Sequence, residues 1–356
     1  MDAVDDLSDA IDVTRDLLVP VRPWLWIKLA IVVLFVAGAG LGSVVPADPG
    51  VLTGPDEPLP QEPTDEEFVT EPALEELPIE ELVVIGLIIA VVLVGLWLVF
   101  RLLSAIAEFV FIESLRSGDV HIRRYSRANL GRGLRLFVFR LGVAFLAALP
   151  VFGLLAAVFV TGDSPEAVLG SLLSIGLLGL VLGIIYGIVM RFTSEFVAPI
   201  MLLESRGVVS AWRRFFPTLA GNTGEYVVYV LLVWILQLVL NLAAGLMTLV
   251  GVLLVVIPFG ILVLVLVIFL AEIGLILALP IGLVALVAVL LIIGLVQMPI
   301  RTYFQYYALL ILGDTNPDLD LIPEQREAVR DGGDDPSTPP DTLDGRTEDD
   351  EDDRGW

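Results

Sequence analysis

The sequence predicts an all-α fold, a polytopic membrane helical bundle of about six spans. Residues 226–313 contain only two charged side chains, Glu272 and Arg301, whereas ~20 consecutive apolar residues already cross the ~30 Å hydrocarbon layer of a bilayer. Four further apolar stretches of about spanning length come before it, near 24–45, 82–100, 136–161 and 168–190. These segments are predicted to be helices, because a single spanning segment must satisfy its backbone hydrogen bonds internally.

The net charge of −23 is concentrated in two polar segments. Residues 46–81 hold twelve acids and no base, and residues 314–356 hold sixteen acids and four arginines. Lys28 is the only lysine of the chain. Abundant acids with arginine in place of lysine are typical of a salt-loving archaeon, whose surfaces stay hydrated through a high net charge. An ordinary acidic loop and tail is the alternative.

Residues 1–23 are predicted to form an amphipathic interfacial helix. Aspartates lie on its other faces, and its apolar residues fall on one stripe: Val4, Leu7, Ile11 and Leu18. Such a helix lies at the membrane surface or on the protein itself. The first span follows near 24–45. A cleavable signal peptide is the alternative for this span, and it is disfavoured because the segment before it is long and acidic.

The transmembrane domain is predicted to cover residues 24–313. Within it, the segment 46–81 is rich in Pro, Asp and Glu, which is the composition of a disordered extracellular loop. The segments 116–135 and 205–222 are rich in arginine, which marks the cytoplasmic side. The N-terminus is therefore expected inside. Residues 314–356 are expected to form a disordered, acidic cytoplasmic tail.

The stretch 226–300 must contain an even number of crossings if Arg301 and the tail are cytoplasmic. Pro258 removes a helical hydrogen bond and Gly260 loosens the backbone. We therefore predict two long spans, about 226–256 and 275–299, joined by a short helix that does not fully cross. Three full spans with an external tail is the alternative.

A repeated unit is suggested by three arginines, each of which ends an even-numbered span. Arg101, Arg191 and Arg301 are each followed by an acid twelve or thirteen residues later, at Glu113, Glu204 and Asp314. This pattern predicts three two-span repeats, each with an extension along the cytoplasmic interface.

The polar residues at these span ends predict a ligand-binding cluster. Arg191 and Glu195 are four residues apart, as are Arg301 and Gln305, so each pair shares a helix face. Arg101 and Glu108, seven apart, also share a face. Around a common axis these groups could hold a phosphate or a carboxylate through arginine. The alternative is that each arginine reaches lipid phosphates and pairs locally. The candidate ligand-binding residues are Arg101, Glu108, Arg191, Glu195, Glu204, Arg301, Gln305 and Glu272.

Glu272 differs from the others because it lies within an apolar stretch. It is either a proton or cation site or a carboxyl at a turn that touches headgroups. The other polar candidates within the spans are Gln237, Asn241 and Gln297. The chain has one histidine and no cysteine, so the usual zinc sites are excluded. No catalytic residue, metal site or cofactor is predicted.

The expected partners are the lipid bilayer and its anionic headgroups. Other membrane proteins are possible partners as well. The arginines nearest the headgroups are Arg116, Arg123, Arg124 and Arg127. Anionic lipid lies within their reach, so it is a simpler partner than nucleic acid, which is not predicted. The expected location is the cytoplasmic membrane, with both termini cytoplasmic.

Two resemblances accompany these patterns. The segment LESRGVVSAWRRFFPTLAGN (203–222) resembles a segment of the membrane domain of glycerophosphodiester phosphodiesterases, with Phe215 at the usual serine; the catalytic barrel of those enzymes is absent, so no activity is implied. Three other segments are similar to an uncharacterised family of haloarchaeal multi-pass membrane proteins: ESLRSGDVHIRRYSR, IPFG and VQMPIRTYFQYYALLILGDTNPDLDLIP. This second likeness covers about residues 1–325 and implies topology and lineage only.

The functional expectation is a non-enzymatic scaffold that organises lipids or proteins in the membrane. A transporter or channel for a small solute or ion is the alternative, and it requires a water-accessible polar path through the bilayer. An enzyme that acts on lipid ranks third, because acid–base pairs occur only near the cytoplasmic interface.

Overall fold

The computed structural model describes residues 5–36, 79–161 and 165–332, and all the regular structure in these ranges is helical. The α-helices are α1 (Asp5–Leu18), α2 (Pro23–Val36), α3 (Ile79–Ser117), α4 (Ile122–Thr161), α5 (Pro165–Phe192), α6 (Ala198–Leu203), α7 (Val208–Gly221), α8 (Thr223–Thr315) and α9 (Pro323–Gly332). A π-helix, Thr193–Val197, joins α5 to α6, and a 3-10 turn, Pro317–Leu319, follows α8. The predicted all-α fold is confirmed.

Four described helical segments are long and apolar enough to cross a membrane: Val83–Ser117, Ile122–Val158, Gly170–Leu203 and Thr223–Thr315. Helix α2 is apolar but shorter. The rest of the predicted first span and most of the acidic loop 46–81 lie outside the described residues. The polar segments 116–135 and 205–222 are not loops, since most of each lies in α4 or α7.

Helix α8 is a hairpin of two antiparallel arms, 223–270 and 272–315. Ala271 separates the arms with φ 46° and ψ −116°. The contacts between the arms run in opposite directions along the chain: a Cβ on Gly251 would lie 2.7 Å from Ile292, and the rings of Tyr229 and Tyr307 are 5.1 Å apart. The α8 segment therefore reverses direction once.

The predicted helix break at Pro258 and Gly260 is wrong. Both residues lie inside the first arm, and the chain reverses at Ala271 instead. A proline can remain within a membrane helix because neighbouring groups and local adjustments compensate for the lost hydrogen bond. The turn itself is tight: a Cβ on Gly274 would overlap the carbonyl of Leu266. A reversal next to Glu272 brings the one carboxylate of this stretch to the hairpin tip.

In the described part of the chain, the helices pack most closely at one end, which we call the base. It contains most of the buried side chains, contributed by α1, α2 and the segments 104–120, 193–215, 226–233 and 298–322. Towards the hairpin tip the apolar side chains are exposed, as at Phe269, which is 80% exposed. Exposed apolar surface on this scale indicates contact with lipid.

The predicted three-unit repeat is not confirmed. The extensions that follow the three arginines all enter the base, but their backbones differ. After Arg101 and Arg301 the α-helix continues without interruption, whereas a π-helix begins two residues after Arg191.

The predicted amphipathic helix is present as α1, and it lies on the protein. Its buried face consists of Ala10, Val13 and Leu18, whereas Ile11 of the predicted stripe is 54% exposed. The prediction treated α1 as a helix on a flat membrane surface. In the structure α1 contacts both the second arm of α8 and α9, so a different face of the helix is buried. Tyr303 donates its hydroxyl hydrogen to the carbonyl of Leu7 at 3.4 Å.

The first part of the predicted disordered tail is folded. Residues 314–332 include the end of α8, the 3-10 turn and α9, while residues 333–356 lie outside the described part. Leu319, Leu321 and Ile322 are buried in the base and hold the segment there. Ion pairs reinforce this docking: Arg326 pairs with Asp314 and Asp320, and Arg330 pairs with Asp9 and Asp314. Arg330 also lies 3.1 Å from Asp6, whose burial opposes its charge.

Docking of α1 should depend on pH through Asp6. Burial, with the nearby Asp314 carboxylate, raises the pKa of Asp6 from 3.8 to about 7, although Arg330 opposes this shift. Because the pKa is higher in the folded protein, the stabilisation is complete below pH 3.8 and is lost as the pH rises to about 7. At a pH above 7, Asp6→Asn should therefore have a higher thermal unfolding midpoint than the wild type, and below pH 3.8 the two proteins should have nearly the same midpoint. The two proteins are compared in detergent at constant salt. Parallel pH profiles for the two proteins would contradict this assignment.

Candidate functional site

A cavity of ≈ 820 Å³ lies between the α5–π-helix junction and the two arms of α8. The α5 side contributes Met190, Arg191, Ser194 and Glu195, the first arm contributes Gln237, Asn241, Gly245, Thr248, Leu249 and Val252, and the second arm contributes Ile293, Gln297, Ile300, Arg301, Phe304 and Gln305. Charged and amide side chains line the end nearest the base. Apolar side chains line the end that points towards the hairpin tip.

The sequence spacing explains why the polar groups meet. On the first arm Gln237 and Asn241 are four residues apart, and on the second arm Gln297, Arg301 and Gln305 follow at the same interval. Residues four apart lie on one face of an α-helix. The antiparallel pairing of the arms then brings the two polar faces opposite each other.

The π-helix Thr193–Val197 forms part of the polar wall. A π-helical turn contains one more residue than an α-helical turn, and such turns are frequent at functional sites. Here the turn carries Ser194 and Glu195 into the cavity. The side-chain amide of Gln305 donates to the backbone carbonyl of Glu195 at 3.4 Å, which links the π-helix to the second arm.

The carboxylates of Glu195 and Glu108, in and beside the polar wall of the cavity, are both paired with arginine. Arg191 Nε lies 3.0 Å from Glu195 Oε1 and 3.1 Å from Oε2, so the predicted pairing of these two residues is present. Tyr229 donates its hydroxyl hydrogen to Glu195 Oε2 at 2.7 Å. Glu108, nearly fully buried, accepts a hydrogen bond from Arg140, which also donates to Ser194.

Arg301 differs from the other two arginines of the site. Its electrostatic neighbours are Glu108, Glu195, Arg140 and Arg191, but it forms no hydrogen bond or ion pair with any residue in the described part of the chain. Three guanidinium groups therefore face two carboxylates, and the excess positive charge is on Arg301, which lines the cavity.

Three of the predicted site residues lie elsewhere. Arg101 lies over the ring of Trp97 at 5.3 Å. It does not pair with Glu108, because seven residues of helix separate the two by ~10 Å along the axis. Glu204 pairs with Arg206 and Arg214 beside α7, at 2.8 and 3.4 Å. Glu272 is exposed at the hairpin tip.

The sequence interpretation did not include Arg140, Ser194 and Tyr229 in the site. Arg140 carried a usable signal, since it is a charged residue inside the third predicted span. Ser194 and Tyr229 carried none, because their roles depend on contacts between helices that are distant in sequence.

A second cavity, of ≈ 850 Å³, is lined by basic side chains at the start of α4. Lys28, His121, Arg123, Arg124 and Arg127 surround it. The Lys28 ammonium donates to the carbonyl of Val120 at 3.3 Å. Arg116, also predicted to approach headgroups, is exposed nearby in sequence, and its carbonyl accepts a hydrogen bond from Gln325.

The segment 203–222 has a structural role in this protein. The Glu204–Arg214 pair joins the chain before α7 to that helix, and Asn222 caps its end with a side-chain hydrogen bond to the carbonyl of Thr218. Phe215 is fully buried and stacks on Phe196, with ring centroids 5.2 Å apart.

Comparison with known proteins gives one match. The model of a family of unknown function (DUF7544) matches residues 1–322. No curated protein and no solved structure matches the chain.

Proposed function

The chain belongs to this family of unknown function, and we propose from its own residues that it is a non-enzymatic membrane scaffold that holds an anionic lipid. The lipid site is the cavity beside Arg301. The observation that carries the proposal is an unpaired guanidinium in a cavity that is polar at one end and apolar at the other. Such a cavity suits an amphiphile with an anionic headgroup.

The level of the cavity in the bilayer supports this proposal. At 1.5 Å per residue, the hairpin tip at Glu272 is about 45 Å along the arms from Asn241 and Arg301. The hydrocarbon layer is only ~30 Å thick. With Glu272 at the outer interface, the charged end of the cavity lies in the inner headgroup layer, and its apolar end reaches the acyl chains. The six crossings predicted from the sequence fit this placement, with each arm of α8 crossing once.

The orientation rests on the basic residues at the base. Arg123, Arg124 and Arg127 are exposed there, and arginine excess favours the cytoplasmic side. The same residues line a surface that suits anionic headgroups. An impermeant thiol reagent added to intact cells should therefore label a cysteine placed at Glu272 and spare one placed at Arg127. The acidic composition of 46–81 and 314–356 supports a salt-loving archaeal membrane as the location.

The absence of a free acid or base in the cavity supports the non-enzymatic assignment. Among the described residues that line it, Glu195 is the only carboxylate, and it is held by Arg191 and Tyr229. His121 is exposed in the other cavity. A transporter of a small anion is the alternative, and it is favoured by the polar side chains of Gln237, Asn241 and Gln297 on the cavity wall. It is disfavoured because the cavity wall on the hairpin-tip side of Thr248 is apolar.

The test compares Arg301→Met with Arg101→Met, a matched arginine that lies outside the cavity over Trp97. The purified proteins are placed in bilayer discs of phosphatidylcholine with phosphatidylglycerol as the probe, and bound lipid is counted by native mass spectrometry. Arg301→Met should weaken binding about tenfold or more, because a charge-assisted hydrogen bond is lost. Arg101→Met should bind as the wild type does.

Thermal stability separates a ligand site from a structural role. Since Arg301 forms no hydrogen bond or ion pair with any described residue, methionine at this position should leave the unfolding midpoint of the lipid-free protein unchanged or higher. Equal lipid binding by Arg301→Met and the wild type would refute the lipid site. Arg301-dependent flux of a small anion into vesicles would favour the transporter.

A further inference from the structure

Three of the four amide side chains that line the cavity are free to bind a ligand. Gln237, Asn241 and Gln297 line the cavity and form no side-chain hydrogen bond with any residue in the described ranges. Gln305 is the exception, because it donates to the carbonyl of Glu195. Gln237 and Gln297 are half-buried and Asn241 is exposed, and a half-buried amide group without a partner is costly unless water or a ligand satisfies it.

Their positions surround the free guanidinium. In the antiparallel hairpin Asn241 lies opposite Arg301, and Gln297 lies one turn from Arg301 towards the hairpin tip. Gln237 lies one turn from Asn241 towards the base. The terminal nitrogens of Arg191, on the third wall, are not used by its bond to Glu195, which engages Nε. A phosphate beside Arg301 would therefore have amide groups on both sides of it.

The chemistry of these groups selects a headgroup. An amide both donates and accepts hydrogen bonds, and so does a hydroxyl group, so amides suit a hydroxylated headgroup. An ammonium headgroup would need a free carboxylate, but Arg191 and Tyr229 engage Glu195, and Arg140 engages Glu108. One unpaired arginine matches one negative charge, and a phosphodiester carries one.

We infer that the Arg301 cavity takes a phosphodiester with free hydroxyl groups on its head, of the phosphatidylglycerol class. The inference rests on the proposed function, because it specifies the ligand of the same site. Asn241, beside Arg301, and Gln237, one turn nearer the base, bind the headgroup hydroxyls, and Arg301 binds the phosphate. The apolar residues Leu249, Val252 and Ile293 contact the start of the acyl chains.

The test uses two lipids of equal charge, one with a hydroxylated head and one whose shorter head has no hydroxyl group. Phosphatidylglycerol and phosphatidylethanol both carry one phosphodiester charge, and only the former has a hydroxylated head. Each is doped separately into phosphatidylcholine discs that contain the full-length protein. Wild-type protein should bind phosphatidylglycerol about tenfold more tightly. The double variant Asn241→Leu, Gln237→Met should lose this preference and keep its affinity for phosphatidylethanol.

The outcomes distinguish this inference from the proposed function. Equal wild-type affinity for the two lipids would overturn the headgroup assignment and leave the anionic lipid site standing. If neither lipid binds through Arg301, the proposed function itself fails. Soluble glycerol 3-phosphate is added as a competitor to distinguish the source of the phosphate. Displacement at concentrations comparable to those of the lipid would overturn the lipid as ligand, and no displacement is expected.

Discussion

Phe215→Ala should lower the free energy of unfolding by about 3–5 kcal/mol, because it leaves a cavity in the base that its neighbours cannot fill. Phe215 is fully buried. Its ring stacks on Phe196 at 5.2 Å and meets Tyr226 edge-on at 5.4 Å. Phe215→Ser should cost no less, since it also places a hydroxyl group among aromatic rings.

The neighbouring residue provides the control. Phe216 is 62% exposed on the same helix, so Phe216→Ala should change the free energy of unfolding by only about 0.5 kcal/mol. Both variants are compared with the wild type by chemical denaturation in detergent, followed by tryptophan fluorescence. Equal effects at the two positions would show that the aromatic cluster does not stabilise the base.

Removing either partner of the Arg140–Glu108 pair should cost about 3–5 kcal/mol, because the remaining charge is left buried. The Glu108 side chain is only 4% exposed and that of Arg140 is 21% exposed. Glu108 Oε1 already has no hydrogen-bond partner. The double variant Glu108→Met, Arg140→Met should be close to the wild type, since no unpaired charge from this pair remains.

A double-mutant cycle measured by thermal unfolding tests this coupling. The pair Glu204 and Arg206 is the control, because Arg206 is 49% exposed and such a pair contributes only about 0–1 kcal/mol. If the effects of the two Arg140 and Glu108 substitutions simply add, the pair does not act as a unit.

The part of the site that lies along single helices could be predicted from sequence. Residues four apart share a helix face whatever the tertiary structure is, so Arg191 with Glu195 and Arg301 with Gln305 follow from spacing alone. The contact of Glu108 with Arg140 does not follow, because it joins α3 to α4. The sequence interpretation favoured Arg101 as the partner of Glu108 because it compared residues within one helix only.

The reversal of α8 shows a different limit. Pro258 is a strong breaker in water-soluble helices, yet the first arm runs through it. The more useful signal was Glu272, the only charged residue between Glu225 and Arg301. A carboxylate avoids the hydrocarbon layer, so its position marks the point where the chain reaches an interface and can turn.

The unequal packing of the two ends has a consequence for cooperativity. Tertiary contacts concentrate in the base, while the helices above it expose their apolar side chains. Unfolding in detergent should therefore report the base as one cooperative unit, and the outer helical segments should fluctuate independently of it. In a bilayer the exposed apolar side chains of these helices contact hydrocarbon, which favours helices that span the layer. The outer segments of this chain thus owe their arrangement to the solvent around them more than to one another.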